Sequence, residues 1–273
     1  MLLTIGIDNA ISQLQRVLPG YSSGQLDEPH HPHAIAVLYR KLGVCRMLDQ
    51  GVVEPLFVAQ MQSASAYLTR LPRLSDHDKV TSRSAVFFDA IGGEYWDAAA
   101  KIAAGSRPTV NPTWEHEDDF LYVWFLMTRY FLDGLEGDED EAAKAAWEQR
   151  QRDLLERWEV VLEGGLDPRL PLCDALLRRD EGDFGVAFEE VAGARDQRVR
   201  KQIERGEVRE DDAVWVLPWW GEGLALLRLA ERDGLRTDEH CPMVPQISRG
   251  PNPFAYDPMA WGRIDFRPAR KTT

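Results

Sequence analysis

The sequence predicts an all-α protein: a multi-helix, solenoid-like array of helical hairpins around one central buried helix, with an irregular Pro-rich C-terminal tail. Three observations predict it. Apolar residues recur at three- and four-residue intervals through most of the chain, which is the spacing of one helix face. Proline, glycine and acidic turns punctuate that pattern at lengths suited to helices joined by short loops. Finally, Phe120 to Leu132 departs from apolar and aromatic residues only at Thr128 and Arg129. A helix that is apolar all round is buried on every side, in a core or in a membrane. This run is only about 20 Å long, short of the ~20 residues that a bilayer needs. It therefore reads as core. A single helical domain over 1–273 is expected, and 105–112 is where it would divide if it did.

From the N-terminus, Asp8 is the expected cap of a first helix that carries Ala10, Ile11, Leu14, Val17 and Leu18 and closes at Pro19-Gly20. The polar stretch 20–32 ends in Pro29-His30-His31-Pro32-His33. Its prolines favour extended backbone, and its histidines lack a Cys or carboxylate pattern that would complete a metal site. His33–Asp49 and Val53–Leu71 read as amphipathic helices. The turn Pro72–Asp78 then leads to a longer helix near Lys79–Ala103, which Gly92-Gly93 would split.

Pro112 suits a first helical position, so the central helix Glu115–Leu132 is expected to start just past it, capped by Asn111 or Thr113. Glu115, Glu117, Asp118 and Asp119 crowd its first turns, where the helix dipole favours negative charge. The same acids are candidates for a lip that docks a basic partner. Arg129 is expected to meet Asp133 or an acid of another helix. In Leu135–Glu141, the acids Glu136, Asp138, Glu139, Asp140 and Glu141 complete the candidate partner-binding set.

The next helix, Ala142–Leu162, should turn Ala143, Ala146, Trp147, Leu154, Trp158 and Val161 inward and close at Gly164-Gly165. Pro168–Arg179 and Phe184–Arg205 read as a hairpin turned at Asp180–Asp183, with Ala194 inward. The late cations Arg195, Arg198, Arg200, Lys201 and Arg205 answer the dipole of its second helix. Asp211–Asp233 is the last helix, broken at Pro218. Beyond Thr237, Pro242, Pro245, Pro251, Pro253 and Pro258 exclude long helices. Ile247, Phe254, Tyr256, Met259 and Trp261 predict that the tail 237–273 packs across the surface.

The 45 acids against 32 bases, a net charge of −13, argue against binding a nucleic-acid backbone and suit a basic protein partner. Cys45, Cys173 and Cys241 are odd in number and far apart, as reduced thiols would be. The start MLLTIGIDNA has no basic n-region, and Asp8 interrupts its apolar stretch. A cytoplasmic protein without signal peptide or membrane span is expected. GxxxxGK[ST], GxGxxG, CxxC, HExxH and GxSxG are all missing, so no catalytic, cofactor-binding or metal-binding residue is expected. One constellation leans toward catalysis. His77-Asp78, with His33 and Asp118 as distant partners, has the ingredients of a metal-dependent helical phosphohydrolase, although Asp78 in a turn is more simply a helix cap.

Two stretches carry a resemblance. They are ALLRRDEGDFGVAFEEV, residues 175–191, and LPWWGEGLALLRLAERDGL, residues 217–235, the latter followed by Met243-Val244-Pro245. A short helix, an acidic turn before an aromatic, and a Leu/Ala-rich helix ending at glycine before an extended tail resemble the immunity protein 49 family. That family is mostly helical and is encoded beside bacterial polymorphic toxins. The resemblance covers the C-terminal third and implies a role: binding and blocking a cognate toxin domain, with no catalytic residue to carry over. A helical-repeat adaptor for another protein is the alternative expectation.

Overall fold

A computed structural model of the chain describes residues 1–132 and 141–264. The protein is all-α and 70% helical, with no strand among the described residues. Helices α1 (Leu2–Ser23), α2 (His31–Gln50) and α3 (Glu54–Arg70) pack side by side, and α4 (Ala85–Gly92) continues the row against α3. Next come α5 (Trp96–Gly105), α6 (Glu117–Met127) with one π-helical turn at Thr128–Leu132, and α7 (Glu141–Leu162). The α8 (Arg169–Arg178) and α9 (Glu181–Glu204) hairpin follows, then α10 (Glu210–Val216) and α11 (Gly221–Arg232). The hairpin rhythm holds locally, but α11 turns back to pack on α4, which no sequential stack would do.

The cause is α6. Phe120, Leu121, Tyr122, Val123, Phe125, Leu126 and Met127 are all buried, and they point in every direction round the helix. Helices α7 and α8 cover it, the π turn packs on α5, and its apolar residues join one core that runs from Ala36 to Ala260. A second, smaller cluster joins Leu14 and Tyr21 of α1 to Tyr39, Ala66 and the tail residue Trp261. Among the described residues no helix is long and apolar enough to cross a membrane.

Several helix ends differ from expectation, each because a tertiary contact outweighs a local signal. Asp8 and Pro19 lie inside α1, which ends at Gly24 with φ +79°. Its last turn is held by the Tyr21 hydroxyl donating to Ala66 O and by Arg70 donating to Tyr21 O. Pro32 opens α2 instead of extending the chain. The segment 79–84 is irregular, because Thr81 donates to Arg107 O and Ser82 N donates to Glu115. Asp78 accepts the Ser75 hydroxyl and caps no helix. The central helix starts at Glu117: Asn111 Oδ1 accepts Thr113 N–H, and the Glu115 carboxylate accepts Asn111 N–H, so all three residues serve the preceding loop.

Along α7 the expected inward residues Ala143 and Ala146 are exposed, and only Gln151, Leu155 and Trp158 are buried. Asp180 caps α9 by accepting Asp183 N–H, which starts that helix three residues early. Ala194 is exposed and Arg195 is buried beside it. Arg195 donates to the carbonyls of Val216, Leu217 and Trp219, so it clamps the Pro218 turn and does more than answer a helix dipole. In the tail, Phe254 and Trp261 are buried, whereas Ile247 and Met259 are exposed.

Arg129 finds its acid on another helix. Its guanidinium meets Asp233 and the Leu176 carbonyl, each at 2.7 Å, tying the end of α6 to α11 and α8; Asp133 lies outside the described residues. Removing one partner of a buried pair strands the other charge. Asp233→Ala is expected to lower unfolding free energy by about 3–5 kcal/mol in urea titration. A loss below 1 kcal/mol would show that water reaches Arg129.

Candidate functional site

The acids heading α6 do not form an open patch. Glu115 turns inward to backbone N–H groups at 2.7 and 2.8 Å. Glu117 takes both arms of the Arg157 fork from α7, at 2.7 and 2.9 Å, and Arg157 holds its carboxyl below the usual range. Asp119 meets Arg169 at 2.7 Å, Asp118 stands 3.7 Å from it, and Asp167 binds the same guanidinium at 2.7 Å. Arg169 also lies over the rings of Tyr122 and Trp158. Burial alone would lower its pKa, but the hydrogen bonds to Asp167 and Asp119 raise it overall. The lip is therefore a closed ion network.

Glu136, Asp138, Glu139 and Asp140 lie outside the described residues, and Glu141 is exposed at the first position of α7. Arg157, which neutralises Glu117, sits on the same helix about 24 Å further along. Glu141 and the lip are thus two places, joined by α7.

Behind the lip is a cleft of about 240 Å³ where the first turns of α4, α6, α8 and α11 converge. Asp119, Arg169, Arg195, Arg198, Tyr122 and Glu222 supply its polar lining. The Tyr122 hydroxyl donates to Glu222 at 2.7 Å, and burial, then the Glu222 charge, pushes the phenol far up. Burial likewise raises the Cys173 thiol. A nucleophile needs a depressed pKa or an adjacent base, and these groups carry the opposite perturbation.

The hydrolase constellation is not assembled. His77 is exposed beside Trp114, Asp78 is held by Ser75, and Asp118 faces Arg169. His33 packs on Tyr67 with its imidazole lowered to about 4 by burial, then by Arg83 and Arg40. Among the described residues no group of three His, Cys, Asp or Glu side chains is placed to hold a metal ion.

The outer face of α7 is charged, as its sequence pattern implies, but its acids lie outside the predicted partner-binding set. Asp153, Glu156, Glu159 and Glu163 are exposed and have no cation partner among the described residues. Val160 stands among them, 64% exposed, and Leu166 just beyond is fully exposed. The signal was present as acids recurring every three or four positions from Asp153 to Glu163. Further concavities include one of about 520 Å³ between α1 and the tail, and two larger ones. One, of about 670 Å³, lies between α5, α7, α8 and α11; the other, of about 620 Å³, lies between α9 and the start of the tail.

No protein-family model, curated protein or solved structure matches the chain.

The burial of His33 sets a pH dependence. Its folded pKa lies below the ordinary 6.5, so it adds stability above pH 6.5 that is lost as pH falls toward 4. Unfolding free energy should drop by on the order of 2 kcal/mol over that window from this residue. His33→Gln should flatten that part of the denaturation–pH curve. An unchanged slope would place the titration elsewhere.

Proposed function

We propose that this chain is an immunity-type binding protein, which neutralises a cognate toxin domain by direct contact and contributes no chemistry of its own. The observation that carries this reading is the outer face of α7. Interfaces join an apolar centre to a charged rim, and Val160 flanked by four unpaired acids has that composition. A net charge of −13 adds long-range attraction for a basic partner. The acids of the α6 lip are a poorer docking surface, because each is already satisfied within the chain and its release would lose those bonds.

Three features support inhibition by occupation over inhibition by turnover. The cleft behind the lip has its acids bound, its tyrosine pushed up by burial, and a volume of only about 240 Å³. The chain instead presents a rigid helix whose inner side is pinned by Trp158 and whose outer side is free.

The test is co-expression with a basic toxin domain encoded next to the gene, followed by stopped-flow association of the purified pair. Reversing four charges, with Asp153→Lys, Glu156→Lys, Glu159→Lys and Glu163→Lys, should slow association by about tenfold or more at low salt and much less at 0.5 M salt. Helical content should stay unchanged. An association rate equal to that of the native chain at low salt would remove α7 as the docking face. Co-purification without protection of the host would leave an adaptor in place of an immunity protein.

A further inference from the structure

The groove between α9 and residues 236–243 has an apolar floor made by Phe184, Phe188, Leu217, Leu227 and Met243. Two residues on its α9 wall are unexpected. Gly185 and Gly193 lie inside a 24-residue helix, and neither has a positive φ. Each glycine lowers the helix–coil equilibrium about fivefold relative to alanine. At other glycines buried between helices the reason is visible. A Cβ on Gly43 would stand 2.3 Å from that of Ala59, and one on Gly223 would stand 2.1 Å from the Trp220 ring. At Gly185 and Gly193 nothing lies within 4 Å of where the Cβ would be. No contact within the chain requires them. Both open onto the groove, about two turns apart, and lower its wall at those two points. Glycine at such a place permits close approach by something from outside.

The rim says what chemistry fits. Its cations are taken: Arg200 is 2.7 Å from Asp196, Arg236 is 3.1 Å from Glu181, and Arg249, whose charge also reaches Cys241, is 2.6 Å from Glu231. Glu189 and Asp238 have no cation partner among the described residues, and both charges act on the Cys241 thiol in the groove. That thiol, pushed up to about 11 chiefly by burial, stays protonated and adds apolar surface. An apolar floor, a wall lowered at two glycines and a negative rim complement a helix with an apolar stripe flanked by Lys or Arg. The α9 wall from Phe184 to Arg200 is about 24 Å long, enough for some four turns of such a helix.

We propose that this groove is the docking site for one amphipathic, basic-flanked helix of a partner protein. The proposal rests on the reading of the chain as a binder of a basic protein, and it names where an apolar part of that protein is held. The probe is a fluorescein-labelled 16-residue peptide with leucine at helical spacing and lysine elsewhere. Its controls are a scrambled isomer of equal charge and a version with glutamate for lysine. The native chain is expected to bind the striped lysine peptide at least tenfold more tightly than either control. Gly193→Leu should weaken that binding tenfold or more. Gly185→Ala with Gly193→Ala should weaken it while raising the melting midpoint by about 3–6 °C, a combination that damage to the fold cannot produce. Glu189→Lys with Asp238→Lys should shift preference toward the glutamate peptide.

Equal binding of striped and scrambled peptides, or native affinity in Gly193→Leu, would overturn the proposal. The two readings separate cleanly. If the toxin domain is captured normally by Gly193→Leu and poorly by the α7 charge-reversal variant, the groove is wrong and the immunity reading stands. If the striped peptide binds through the groove and no toxin is captured, the groove stands without that reading.

Discussion

A helix without a polar face cannot lie at a surface, and this constraint shapes the molecule. With every side of α6 from Phe120 to Met127 apolar, the chain must supply cover all round it. It does so with α7 and α8 after α6 in sequence and with α5 on the π turn, while Phe88 of α4 and Glu222 of α11 meet it at Tyr122. The helix ends then need polar partners. At the start these are Arg157 and Arg169, brought by the covering helices; at the end Arg129 reaches Asp233 on α11. Hydrophobic cover fixes which helices meet, and the cations fix how their ends align.

The same division explains where charge is spent internally and where it is left over. Arg40 binds Asp89 at 2.5 Å between α2 and α4, with the Ser63 hydroxyl donating to the same carboxylate. Lys41 binds Asp212 at 2.6 Å, joining α2 to α10, and Arg195 is committed to backbone carbonyls. The scarcer sign is thus heavily used in stitching helices. Acids consequently remain unpaired on the outside, on α7 and around the α9 groove, and these places are available to a basic partner.

Fold class and most helix positions were legible because both rest on periodicity. Phe120–Leu132, Glu54–Arg70 and the α8–α9 hairpin are strongly patterned, and tertiary contacts agree with the pattern. The start of α6 was not legible, because residues expected there were claimed by distant groups: Glu115, read as its first residue, accepts Ser82 N–H, and Asn111, read as a cap, donates to the His77 carbonyl. Pro19 gave a false stop because Arg70 and Ala66 hold the turn beyond it. Of the candidate site, composition indicated acid clusters correctly, but it could not show that Glu117 and Asp119 would be met by arginines 40 and 50 residues away. The glycines of α9 were invisible as a signal, since their meaning lies in the empty space around them.

If the chain neutralises a basic toxin domain by direct contact, as proposed, inhibition must be stoichiometric. Titrating the purified chain against a fixed amount of the active toxin domain measures it most directly. Neutralisation by contact predicts a linear loss of toxin activity with an end point at a 1:1 ratio, restored when high salt dissociates the pair. Complete inactivation at well under one equivalent, or activity unaffected at a large excess, would contradict it.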